Sequence, residues 1–125
     1  LIDFLGEREP FYEAAARIVS RADRKEIELL VSSLSYATAS YILARYNPRE
    51  MVMDKMKKFT PLCTVTNVGM EEVNESLYSA FLDFEDALQY HSALRAGAAV
   101  IITRNKKDFL ASALPVHTPD EYLRL

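Results

Sequence analysis

The sequence predicts an open α/β fold, with strands paired in parallel and helices on both faces. Three observations carry this. Apolar residues recur at helical spacing in several stretches. Short apolar runs of strand length lie between those stretches. The two kinds of segment alternate along the chain, which implies parallel pairing through right-handed crossovers.

Pro10 suits the opening turn of the first strong helix. Phe11, Ala14, Ala15, Ile18, Val19 and Ala22 form its apolar side, with Glu13, Arg17 and Arg21 opposite. Glu28 to Ser32 is an apolar run of strand length. A second helix is expected from about Ser35 to Tyr46, N-capped by Ser35, with Leu34, Ala37, Tyr41 and Ala44 as its stripe. Pro48 ends it and starts another, with Val52, Met56 and Phe59 facing inward. Leu62 to Thr66 reads as a strand. Met70, Val73 and Leu77 mark a short helix. Asp83 to Ala96 reads as a helix stopped by Gly97. Ala98 to Thr103 is the clearest buried strand, uncharged and rich in β-branched residues. Pro115 to Thr118 is a last short strand. Thr118-Pro119-Asp120-Glu121 then spells an N-cap, a Pro at the first helical position and a capping-box Glu.

At 125 residues, half of them hydrophobic, a single domain spanning residues 1–125 with a real core is expected. The net charge of −3 argues against a protein that coats duplex DNA. Cys63 is the one cysteine, so no disulfide can form within the chain and a reducing, cytoplasmic setting is expected. Cys63 itself reads as a small buried hydrophobe. No apolar run is long enough to span a bilayer. Neither GxGxxG nor GxxxxGK[ST] occurs, so nothing points to a nucleotide cofactor.

In open α/β sheets, ligands bind beyond the carboxyl ends of the strands. Three groups of polar residues fall there. Asp83 and Asp86 share one side of a helix start, and two carboxylates so spaced can hold a hard divalent cation. The competing reading is structural: Asp83 as N-cap and Asp86 as a helix-dipole partner. Thr103-Arg104-Asn105-Lys106-Lys107-Asp108 follows the buried strand directly. Asn105 and Asp108 offer oxygens, and Arg104, Lys106 and Lys107 offer cations for phosphates. The competing reading is a solvated loop. Ser32, Ser33, Ser35 and Thr38 lie where a strand gives way to a helix, with Thr38 turned inward. His91 and His117 are isolated and read as structural.

Taken in order, these segments resemble the PIN domain family. The strongest matches are Asp83-Phe84-Glu85-Asp86-Ala87-Leu88-Gln89 and Ile102-Thr103-Arg104-Asn105-Lys106-Lys107-Asp108-Phe109. Arg8-Glu9-Pro10-Phe11, Val31-Ser32-Ser33-Leu34 and the closing Pro115 to Leu123 also fit. The resemblance implies a three-layer α/β/α domain with a central parallel sheet. It also implies a metal-dependent endoribonuclease, in which acidic residues gather Mg²⁺ or Mn²⁺ and an activated water attacks the phosphodiester. Many members are toxins held by a small antitoxin protein, and many form homodimers.

By position, Asp86 matches the family acid at the start of the long helix. Asn105 stands where an Asp is frequent, with Asp108 nearby to substitute. Thr38 stands where the family usually has a Glu. Asp83 is the remaining candidate for catalysis and metal binding, Arg104, Lys106 and Lys107 for RNA phosphates, and Thr38, Ser32 and Thr103 for support. The loss of two carboxylates leaves a second reading open, a degraded PIN domain that only binds RNA or a protein. A phosphoacceptor domain of similar layering would need an acceptor Asp at a strand end, and none is seen. The family's first strand, ending in an Asp, is absent, so the native chain is expected to extend upstream of Leu1. Tyr41, Ile42, Met51, Val52 and Met53 supply apolar surface from which a homodimer is expected.

Overall fold

Seven α-helices and four short strands form in the computed structural model, which describes residues 1–125. They divide into two compact units, Leu1–Val65 and Thr66–Leu125. In the first, α1 (Ile2–Leu5) and α2 (Tyr12–Asp23) precede β1 (Leu30–Ser32), α3 (Ser33–Leu43) and α4 (Arg49–Phe59). A 3-10 turn (Thr60–Leu62) then leads into β2 (Thr64–Thr66), which pairs with β1 and ends at the boundary between units. Leu5, Val19, Ala39, Leu43, Val52, Met56 and Phe59 are the core of this unit. They are the inward positions of four helices, and in α2 and α4 the apolar spacing read from sequence is the spacing of burial. In α3 it is not: of the expected stripe Leu34, Ala37, Tyr41 and Ala44, only Leu34 is even half-buried, and the helix turns Ala39 and Leu43 inward instead.

Two helix ends in this unit differ from expectation. The N-cap of α3 is Ser32, not Ser35: the Ser32 backbone is extended, and its Oγ accepts the Ser35 backbone N–H at 3.1 Å. The strand therefore runs into the helix without a spacer, and Ser35 is the third helical residue. At the other end, α3 stops at Leu43 rather than Tyr46, because Asn47 turns back onto the helix. The Asn47 backbone N–H and side-chain Nδ2 both donate to the Leu43 carbonyl, each at 3.1 Å, and the following Pro48 disfavours helical backbone before it. Cys63 is half-buried rather than buried, with Sγ 3.3 Å from the Tyr36 hydroxyl.

The second unit contains α5 (Met70–Leu77), α6 (Phe84–Arg95), β3 (Ile101–Ile102), a 3-10 turn (Lys106–Phe109), β4 (Val116–His117) and α7 (Pro119–Leu123). β3 and β4 are parallel, with Ile101 opposite Val116 and Ile102 opposite His117. The expected strand Ala98 to Thr103 is thus two residues long and half-buried, not fully buried. Its partner limits it. Pro115 and Pro119, which flank His117 on the side that faces β3, have no N–H to donate. Beyond β4 the Thr118 N–H donates to Glu121 Oε1 at 2.8 Å. That bond is half of the expected capping box; Thr118 Oγ1 accepts the Glu121 N–H at 3.2 Å as the other half. Gly97, at φ +79°, ends the turn after α6 in the left-handed region, as its position beyond the C-cap requires. No helix is long and apolar enough to cross a membrane.

Candidate functional site

The second unit carries half of the chain's 18 Asp and Glu residues but only a third of its 15 Lys and Arg. Three of the acidic residues, Asp83, Glu85 and Asp86, lie at the start of α6, and three more, Glu71, Glu72 and Glu75, on α5. Asp83 is the N-cap: its Oδ1 accepts the Asp86 backbone N–H at 2.9 Å. The structural reading of Asp83 therefore holds, and one of its oxygens is engaged. Asp86 stands at the third helical position, half-buried. Its carboxyl is pushed up to about 6, first by burial and then by the negative charges of Asp83, Asp108 and Glu85. Asp108 is far away in sequence from Asp86.

The 3-10 turn packs against α6, and this is how Asp108 arrives. Thr103 Oγ1 accepts the Asn105 N–H at 3.1 Å, and the Asn105 carbonyl accepts the Asp108 N–H at 3.0 Å. Thr103 is itself fixed to the sheet, its N–H donating to the His117 carbonyl at 3.0 Å. Strand, Thr103, Asn105 and Asp108 are thus a chain of short-range bonds, with Asn105 as the cap of the turn. Asp108 is exposed while its neighbour Phe109 is buried.

Of the cations expected to meet phosphates, Arg104 and Lys107 are exposed. Lys106 is engaged by Glu121, its Nζ 3.1 Å from Oε1. Ser32 and Thr38 belong to the first unit, where Ser32 caps α3 and Thr38 lies half-buried along it. His91 is not isolated: Nδ1 lies 3.4 Å from Glu75 Oε2, and its ring packs beside Phe81 and Tyr90. Sequence reasoning missed this ring cluster, because Phe81 lies in a connection where helical periodicity gives no signal.

A sequence pattern of the PIN domain matches residues 1–107. The chain belongs to the PIN domain family. The α/β fold class with parallel strands is that of a PIN domain. The chain is also similar to Ribonuclease VapC1 of Aquifex aeolicus (strain VF5). The two are 24% identical over 127 residues, which cover 98% of this chain and 87% of that protein. No solved structure matches. The PIN chain's acidic donors are of the type a hard divalent cation prefers. Asp83, Asp86 and Asp108 are donors of that type. No three His, Cys, Asp or Glu side chains come together as a group that could hold a metal ion.

Proposed function

We propose that this PIN domain is a metal-dependent endoribonuclease whose site is built from Asp86, Asp108 and Asp83. The observation that carries the reading is the raised Asp86 carboxyl, pushed up first by burial and then by carboxylates of its own segment and of the distant turn that packs against α6. Folding gains nothing from that repulsion, and a bound cation would relieve it. Asp86 and Asp108 would hold Mg²⁺ or Mn²⁺, with Asp83 in support. The ion would lower the pKa of water and neutralise phosphate charge.

The chain's own residues have the remaining roles. With no ion bound, the Asp86 carboxyl is raised to about 6, so it would give up its proton as the cation binds. Asn105 presents an amide where the family often has Asp, orienting rather than charging the site. Arg104 and Lys107 hold the RNA backbone on either side of the cut. Lys106, engaged by Glu121, is a weaker contributor. Thr103 fixes the turn. The similarity to a protein named as a ribonuclease supports RNA as substrate. We read the chain as the toxin of a toxin–antitoxin pair, acting in the cytoplasm and held by an antitoxin protein. The exposed Tyr41 and Met51 support a homodimer.

A second reading has its own observation. With an amide at Asn105 and no three-acid cluster, the domain would bind RNA or a protein without cutting. Incubation with single-stranded RNA in Mn²⁺, Mg²⁺ or EDTA separates the two. Cleavage in either metal, lost in EDTA and in Asp86→Asn, supports the nuclease. RNA retention without cleavage in every condition supports the binding module.

A further inference from the structure

We propose that Phe81 is a positioning residue for RNA cleavage, its ring clamping the turn that carries Asp108 onto the helix that carries Asp86. The proposal rests on the nuclease reading and adds a residue outside the carboxylate set. Phe81 lies in the connection between α5 and α6, two residues before the cap Asp83. Its ring centroid is 4.9 Å from that of Tyr90 on α6. It meets Phe109 of the 3-10 turn edge-on, at 5.8 Å and 77°. A third ring, His91, lies 6.5 Å away at 62°. Edge-to-face geometry of this kind is the favoured one for aromatic pairs. One side chain therefore spans both segments that carry the acids.

Apart from the Lys106–Glu121 ion pair and its packing on β4, the segment it holds is tied mainly by local bonds. The sheet bonds end at Thr103 on one side and Pro115 on the other, so no ladder runs through the residues between them. Their backbone bonds are local: Asp108 to Asn105, Ser112 to Phe109. The ties to α6 are made by side chains. Phe109 is buried against Phe81, and the Tyr90 hydroxyl accepts the Ala113 N–H at 3.0 Å. Phe81 is itself set by Ser79, whose Oγ accepts the Phe81 N–H at 3.3 Å. Buried Phe109 and exposed Asp108 are adjacent, so any slip of the ring moves the acid with it. Misplacing a catalytic group by about 1 Å costs on the order of 100-fold in rate.

The test uses the full chain with Phe81→Leu, which keeps apolar bulk and removes the ring, alongside Phe81→Ala and Phe81→Tyr. In Phe81→Leu, kcat on single-stranded RNA falls about 10-fold or more while KM stays within about 3-fold. Mn²⁺ affinity by calorimetry falls as well. Amide exchange rises in residues 105–113 and stays unchanged in α2, α3 and α4. Phe81→Tyr restores all three. Unchanged kcat, affinity and exchange in Phe81→Leu overturn the clamp, and so does exchange that rises equally throughout the chain, the mark of a merely structural residue. If Phe81→Ala fails to fold, Phe81→Leu decides. If the unmodified chain cuts no RNA, the nuclease reading fails instead, and the exchange of residues 105–113 still decides whether Phe81 clamps.

Discussion

Replacing Asp86 by Asn should remove the activity and make the fold more stable. The Asp86 carboxyl is raised from an ordinary 3.8 to about 6 by burial and by the charges of Asp83, Asp108 and Glu85. Between those pH values the folded chain holds a proton that the unfolded chain has released. The stability this confers is complete below about 3.8 and is lost as pH rises through about 6. At about 1.4 kcal/mol per pH unit, the ceiling on the penalty at neutral pH is about 3 kcal/mol. Asp86 is only half-buried, and solvent screening reduces the penalty to about 1.5 kcal/mol. Asn also forfeits about 0.5 kcal/mol of favourable interaction between a charge and the helix N-terminus. The net gain for Asp86→Asn at pH 7.5 is therefore about 1 kcal/mol, a rise in Tm of roughly 3–5 °C for a domain of this size. Urea melts of both proteins at pH 7.5 and 4.5 measure it. The gain should shrink by more than half at the lower pH. A destabilised variant, or a gain independent of pH, would refute the crowding argument.

Other perturbations separate roles that share one residue. Asp83→Asn keeps the cap and removes a charge, so the Asp86 carboxyl should titrate lower by NMR with helix stability nearly unchanged. Asp83→Ala loses the cap too and should cost about 1 kcal/mol in urea melts. A methyl group at position 6 would sit 2.9 Å from Leu43 Cδ2 and 3.0 Å from the Ile2 carbonyl. Gly6→Ala should therefore destabilise the first unit by about 1–2 kcal/mol, read as a lower urea midpoint. Thr118→Ala breaks one bond of the capping box and leaves the other, and should cost about 1 kcal/mol by the same measurement.

What could be read in the sequence was what depends on local rules. Apolar spacing marked the buried faces of α2 and α4, and Thr118-Pro119-Asp120-Glu121 marked the start of α7. Gly97 marked the end of α6. The boundaries that were misread depend on bonds from outside the segment. Ser32 rather than Ser35 caps α3 because the preceding strand holds its backbone extended. β3 is short because Pro115 and Pro119 leave its partner no N–H to offer on either side of His117. At the candidate site, both the α6 start and the turn after β3 were singled out from where strands end, and the turn packs against α6. The ring cluster that joins them was not, since Phe81, Tyr90 and Phe109 meet only once the chain has folded. Lys106 looked available as one cation among three, and only the structure shows Glu121 beside it.

Analysis of the RNA ends left by cleavage tests the central claim most directly. Attack by an activated water, rather than by the neighbouring 2′-hydroxyl, leaves linear phosphate and hydroxyl ends and no 2′,3′-cyclic phosphate. It also tolerates a 2′-deoxy substitution at the cut. The account predicts linear ends in Mn²⁺ or Mg²⁺, and no products in EDTA or from Asp86→Asn. Cyclic phosphate ends, or cleavage that persists in EDTA and in Asp86→Asn, would contradict it.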